Sequence, residues 1–175
     1  GMALLRLMDG GQIRRVAIHG DTKLDNFLFS LSTGRVKALI DLDTIMPHTW
    51  LADWGDMVRS LSNVAGEKER KLERVKVDLE IFEAIARGFL KTARRITAAE
   101  VALMVDAVKI IALELGIRFL TDYLRGDNYF KLAPTDPPDL NRTRGAVQLK
   151  LFTELTEHED EARRFIENYY SEGGA

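Results

Sequence analysis

Hydrophobic positions along this chain change period about one third of the way in. Val16-Ala17-Ile18 is a brief apolar run of strand type, and Phe27-Leu28-Phe29-Ser30 and Val36-Lys37-Ala38-Leu39-Ile40 read as two short strands joined by a Ser-Thr-Gly turn. Beyond Pro47 the pattern turns helical. Trp50 to Arg59 forms one predicted helix, and a Pro47-containing connection leads into it. Glu67 to Arg95 begins as a charge run and becomes amphipathic, with Val75, Leu79, Phe82, Ile85, Ala86, Phe89 and Leu90 at helical spacing. Thr97-Ala98-Ala99-Glu100 has the capping-box pattern and opens a helix expected to run to about Arg125, apolar at Val101, Val105, Val108, Ile111, Leu115, Phe119 and Leu124, with Gly126 as its stop. After the rigid turn Thr135-Asp136-Pro137-Pro138, Asp139 is placed to cap a last helix containing Val147, Leu151 and Leu155. The charge run from Glu157 to Arg164 reads as a solvated face and Gly173-Gly174 as a disordered tail. Residues 3 to 9 are an apolar lead-in, the end of a helix, closed by Gly10-Gly11.

The expected fold is therefore α+β and mostly α-helical: a small β-hairpin followed by a helical bundle, one domain over 1–175. At that length roughly 70% of the unfolded surface is buried, enough for a sizeable core. A net charge of −2 without a basic stripe argues against nucleic acid. No run reaches the roughly 20 apolar residues of a membrane span. The start shows no charged leader, so no signal peptide is expected, and the absence of cysteine fits a cytoplasmic setting while excluding disulfides and thiolate chemistry.

The candidate chemistry lies around the hairpin. His19-Gly20-Asp21-Thr22-Lys23-Leu24-Asp25-Asn26 precedes it and Ile40-Asp41-Leu42-Asp43 ends it. Asp-x-x-x-x-Asn followed by an aspartate after the next strand pair is the layout of a phosphotransferase catalytic loop and metal loop. In that layout Asp21 accepts the proton of a substrate hydroxyl, Asn26 and Asp41 hold magnesium on the nucleotide phosphates, and Lys23 neutralises charge on the group in flight.

With Asp53-Trp54-Gly55-Asp56, Gly116-Ile117-Arg118-Phe119-Leu120-Thr121-Asp122-Tyr123-Leu124 and Gly126-Asp127-Asn128-Tyr129-Phe130, these motifs resemble the carboxy-terminal lobe of the aminoglycoside phosphotransferase and choline kinase superfamily, and within it the N-acetylhexosamine 1-kinases. The resemblance implies a small-molecule kinase using ATP and Mg2+. It makes Asp21 the base, with Asn26 and Asp41 as metal ligands and Asp43 a further candidate. It also assigns Arg118 and Tyr129 to the sugar hydroxyls and N-acyl group. His19 is expected to hold the loop, Asp53 and Asp56 to brace it from the helix behind, and His48, Trp50 and Trp54 to be loop and core residues. Gly20 stands where many protein kinases carry arginine, and the stretch from Asp43 to Asp53 is too short for an activation segment; both favour a small acceptor. The resemblance also implies an amino-terminal nucleotide lobe. Only a short lead-in precedes His19, so the chain reads as a partial kinase (a truncated gene product, a cloned lobe or one half of a split protein) that pairs with such a lobe or with itself as a homodimer. Competing readings are a kinase for choline, an amino alcohol or an aminoglycoside, and a non-catalytic lobe serving as a binding module.

Overall fold

The computed structural model describes residues 2–173, with side-chain surroundings for residues 6–171. Helix α1 (Met2–Asp9) leads into strand β1 (Val16–Ile18), the hairpin β2 (Phe27–Phe29) and β3 (Val36–Leu39), and strand β4 (Met46–His48). Six helices follow: α2 (Trp50–Leu61), α3 (Leu79–Thr92), α4 (Ala98–Val101), α5 (Met104–Leu124), α6 (Leu140–Glu157) and α7 (Glu159–Gly173). This is a kinase-like α+β lobe, mostly helical, with the small hairpin the pattern predicted.

Strand β4 replaces the expected Pro47 connection. It pairs antiparallel with β1, Ala17 opposite Pro47, so the segments on either side of the hairpin are tied together. Proline is tolerated there because this two-stranded ladder leaves an open edge where no N–H is required. His48 consequently lies in a strand rather than a loop. The hairpin itself pairs Phe27 with Leu39 and is closed by Ser30–Arg35 and Ser30–Gly34 backbone hydrogen bonds.

Helix α5 packs chiefly on α6 and α2, and α3 packs on α7. Buried on two sides, α5 is apolar around much of its circumference rather than along one stripe. Leu51, Trp54, Val58, Phe82, Met104, Val108, Leu151 and Leu155 form the centre of the core. Trp54 donates its indole N–H to the Met104 carbonyl at 2.9 Å, so this large side chain is buried with its polar atom satisfied.

Several expected elements are differently divided. Residues 67–78 are irregular, although Val75 is fully buried, and the helix begins only where Asp78 caps it by accepting from the Ile81 N–H. The Thr97–Glu100 capping box forms as expected. However, the chain tightens at Leu103, whose N–H donates to the Glu100 carbonyl at 3.1 Å, and the single predicted helix becomes α4 and α5. Leu124, expected on its apolar face, is exposed. Asp139 makes no side-chain cap on α6, because its carboxylate is taken by Arg70 at 2.8 Å and Arg142 at 2.9 Å. The Glu157–Arg164 run is not simply a solvated face. It spans the break at His158 and opens α7, burying Ala162 while Glu159 pairs with Lys109 and Arg163 with Asp106. The lead-in is helical and does find a packing partner, with Met8 in the core and Leu7 against it. Gly173 ends α7; Gly174 lies outside the described residues.

Candidate active site

Asp21 sits on a loop whose shape is enforced from several sides. Asp53, in the first turn of α2, accepts the His19 N–H at 2.8 Å and the Gly20 N–H at 2.7 Å, one on each carboxylate oxygen. The Thr22 hydroxyl donates to the Asp53 carbonyl at 2.6 Å. Gly20 adopts φ +83°, and a Cβ there would stand 2.6 Å from the Thr44 carbonyl oxygen. The position that carries arginine in many protein kinases therefore has no room for any side chain here. His19 braces the loop as expected: the Asp21 N–H donates to its Nδ1 at 3.3 Å, which leaves Nε2 to donate to the Ile40 carbonyl at 3.0 Å. Thr44 Oγ1 donates to the His19 carbonyl at 2.7 Å.

These bonds carry the loop onto the end of the hairpin. The Ile40 N–H donates to the Asn26 carbonyl at 2.9 Å, so Asp41, the next residue, follows directly from the segment that holds Asn26. Asp41 takes left-handed backbone angles, φ 69° and ψ 68°, a conformation that aspartate tolerates better than bulkier residues. Asn26 is buried and its amide nitrogen donates to the Asp21 carbonyl at 2.7 Å and to Asp21 Oδ2 at 2.9 Å. Lys23 Nζ donates to the same Oδ2 at 2.7 Å. Burial pulls the Lys23 ammonium down, but the hydrogen bond and charge of Asp21, then the charges of Asp41 and Asp56, outweigh it and hold its pKa above the ordinary lysine value.

With its amide hydrogens committed to Asp21, Asn26 has its side-chain oxygen left as an acceptor, and Asp41 and Asp43 add exposed carboxylates. An all-oxygen donor set of this kind suits a hard cation. Among the described residues no three histidine, cysteine, aspartate or glutamate side chains gather into a metal cluster. The chemistry of Asn26, Asp41 and Asp43 would suit Mg2+, which is held by one or two protein carboxylates and fills its octahedron with water and phosphate oxygens.

A cavity of about 400 Å³ opens beside Asp21 and Lys23. Its walls come from β1 and β4 (Ile18, Met46), from α2 (Ala52, Asp56, Arg59), from α5 (Ile111, Leu115, Arg118, Phe119) and from Glu67, Phe130 and Arg144. Arg118 therefore shares one cavity with Asp21. It also makes a helix-surface ion pair, reaching Glu114 at 3.4 Å. Tyr129 is mostly exposed and does not line the cavity; its ring lies 5.4 Å from the Arg118 guanidinium, stacked on the outside of that side chain.

Asp56 does not brace the loop backbone as expected of it. It is buried on the cavity wall, where Arg59 Nη2 approaches Oδ1 at 2.6 Å and Nε at 3.2 Å. Burial pushes its pKa up, against the opposing effect of Arg59.

A second group of residues shapes the cavity from segments the motifs did not include. Glu67 accepts from Arg144 at 2.5 and 2.9 Å and pairs with Arg59 at 3.4 Å, while the Gln148 side-chain oxygen accepts from Arg59 at 3.2 Å. The Arg144 guanidinium in turn lies 3.9 Å from the centre of the Phe119 ring. Asp122 accepts the backbone N–H groups of Asn128, Tyr129 and Phe130, at 3.2, 3.0 and 2.7 Å, and so sets the turn that presents Tyr129 and Phe130. Desolvation works against the charged form of Asp122, but these three donors prevail and hold its pKa below the usual carboxylate range. Asn141 on α6 completes the turn by donating to Asp127 and to the Phe130 carbonyl.

Comparison with known families agrees with this geometry. Residues 3–78, which carry the loop, the hairpin and α2, match the model of the phosphotransferase enzyme family, and that match supports placing this stretch with the aminoglycoside phosphotransferase and choline kinase superfamily.

Proposed function

We propose that the chain is the catalytic lobe of a magnesium- and ATP-dependent phosphotransferase acting on a hydroxyl of a small neutral molecule, with the anomeric hydroxyl of an N-acetylhexosamine as the preferred acceptor. The observation that carries this reading is the placement of Asp21, Lys23 and Arg118 on one cavity, with Asn26 bonded to Asp21. Both donors to Asp21 fall on Oδ2, and among the described residues no donor reaches Oδ1. That oxygen is the one to take the proton of the attacking hydroxyl. Lys23 then stands beside the reacting oxygen as a full positive charge. Asn26 and Asp41, with Asp43 nearby, would hold Mg2+, which when bound neutralises charge on the donor phosphates. Phosphoryl transfer asks for little covalent chemistry from the protein, so the loop contributes mainly by holding these groups in place.

Charge balance favours a neutral acceptor over choline, an amino alcohol or an aminoglycoside. Five carboxylates line the cavity, and four of them already hold a cation: Asp21 with Lys23, Asp56 with Arg59, Glu67 with Arg144, and Glu114 with Arg118. A cationic acceptor would have to displace one of these partners or pair with Asp25, the fifth carboxylate. Phe119 and Phe130 add an apolar wall suited to the flat face of a sugar ring.

The same reading makes 1–175 a single carboxy-terminal lobe acting in the cytoplasm with an amino-terminal nucleotide lobe or a second copy of itself. Among the described residues no helix is long and apolar enough to cross a membrane. The test is Asp21→Asn in a form of the protein that turns over: a loss of about 10²- to 10⁴-fold in kcat is expected for removal of a positioned base. Near-full activity would refute the assignment.

A further inference from the structure

Two residues lining the cavity carry a buried polar atom without a hydrogen-bond partner, His48 Nδ1 and Asp56 Oδ2, and only the second belongs to a carboxylate beside Asp21. Asp56 is 9% exposed, and both of its bonds from Arg59 fall on Oδ1. Oδ2 is buried and accepts no hydrogen bond. Buried carboxylate oxygens normally find donors, and one left unpaired costs stability unless something supplies a hydrogen. The loop gives no such donor: Asp53 takes the His19 and Gly20 amides, and Asp21 takes Lys23 and Asn26. Asp56 nevertheless lines the same cavity as Asp21.

We infer that Asp56 is a specificity-determining residue of the acceptor pocket, its carboxylate accepting a hydrogen bond from a hydroxyl of a neutral polyol other than the hydroxyl that is phosphorylated. This rests on the acceptor reading given above. Oδ2 is sealed from solvent in the geometry described, so a small turn of the carboxylate about Cβ–Cγ brings it to the cavity. That torsion is soft. Because Arg59 already neutralises Asp56, the incoming donor needs no positive charge, and a hydroxyl suffices. A site built this way rejects an acceptor lacking that hydroxyl, because binding then leaves the buried oxygen unpaired.

The experiment is calorimetric titration of the full chain, unaltered and as Asp56→Asn, with N-acetylglucosamine and its 3-, 4- and 6-deoxy analogues, and with choline as a cationic probe. Asp56→Asn is expected to weaken N-acetylglucosamine binding roughly 10- to 100-fold, the range for a hydrogen bond to a charged group. One deoxy analogue should show a comparable loss on the unaltered chain and no further loss on the variant. If the variant and the unaltered chain discriminate the analogues identically, or if choline binds through Asp56 more tightly than the sugars, the inference is overturned while the phosphotransferase reading stands. If the unaltered chain binds none of the sugars, both the neutral-acceptor reading and this inference fall. Should Asp56→Asn not fold, the deoxy series on the unaltered chain still decides: equal affinities across it overturn the assignment.

Discussion

Replacing Asp53 tests whether the geometry of the Asp21 loop is imposed from helix α2. Its carboxylate accepts two main-chain amides, at 2.8 and 2.7 Å, and both belong to residues immediately before Asp21. Hydrogen bonds to a charged acceptor contribute about 1.5–3 kcal/mol each. Asp53 is only half-buried and water can reach part of the site, so the lower end applies, and Asp53→Ala should cost about 3 kcal/mol in all. For a chain of this size that is a fall of roughly 6–12 °C in Tm. Asp53→Asn retains one acceptor but points an N–H₂ at the other amide, so it should recover at most about half of the loss. The Thr22 hydroxyl bonds the Asp53 main chain, which both variants keep, so the effect isolates the carboxylate. Urea denaturation with an unchanged m-value measures the cost, and hydrogen exchange at the His19 and Gly20 amides locates it. These two amides should exchange faster while those of α5 do not. A loss below about 0.5 kcal/mol for Asp53→Ala, or unchanged protection at His19 and Gly20, refutes the reasoning, since surface substitutions alone give changes of that size.

Two further outcomes are expected. Asp122 has its pKa depressed by three backbone donors, so its contribution is fully present above the ordinary aspartate value of about 3.9 and is lost as pH falls through the lower folded value; the stability gap between the unaltered chain and Asp122→Asn should be constant from neutral pH to about pH 5 and shrink below about pH 4, and a gap that widens on acidification would contradict the assignment. The exposed apolar side chains of the hairpin region, among them Leu28, Phe29, Leu31, Val36, Leu42 and Ile45, should drive self-association, read as a concentration-dependent mass by light scattering, and a clean monomer at micromolar concentration would refute that expectation.

Local chemistry made the loop readable before the fold was known. A glycine between His19 and Asp21, an asparagine five residues after Asp21 and an aspartate closing the next hairpin each have a short-range reason to be where they are, and the structure supplies it in the Thr44 contact, the Asn26–Asp21 bond and the Ile40–Asn26 ladder. Helices α2, α3 and α5 were legible from apolar period, and α4 from the Thr97–Glu100 box. What was not legible depends on partners far away in the chain. Asp139 looks like a helix cap until Arg70 claims it, and the Glu157–Arg164 run looks solvated until Lys109 and Asp106 meet it. Strand β4 is three residues long and contains proline, so only its pairing with β1 reveals it. Glu67 and Arg144 carry no motif; their place on the cavity wall comes from α6 lying against the irregular segment after α2. Tyr129 was assigned to the sugar by resemblance alone; the turn organised by Asp122 puts Phe130 on the cavity wall and leaves Tyr129 mostly exposed beside it.

The balance of charges explains how a site so crowded with ionised groups can remain receptive. Lys23 is held above its ordinary pKa by Asp21, so at neutral pH the two form an ion pair rather than a free base and a free acid. In the rest of the cavity each cation is matched to a carboxylate, and the two with room to move are Lys23 and Arg118, whose side chains are 39% and 44% exposed, while Arg59 is held at 5% by Asp56, Glu67 and Gln148.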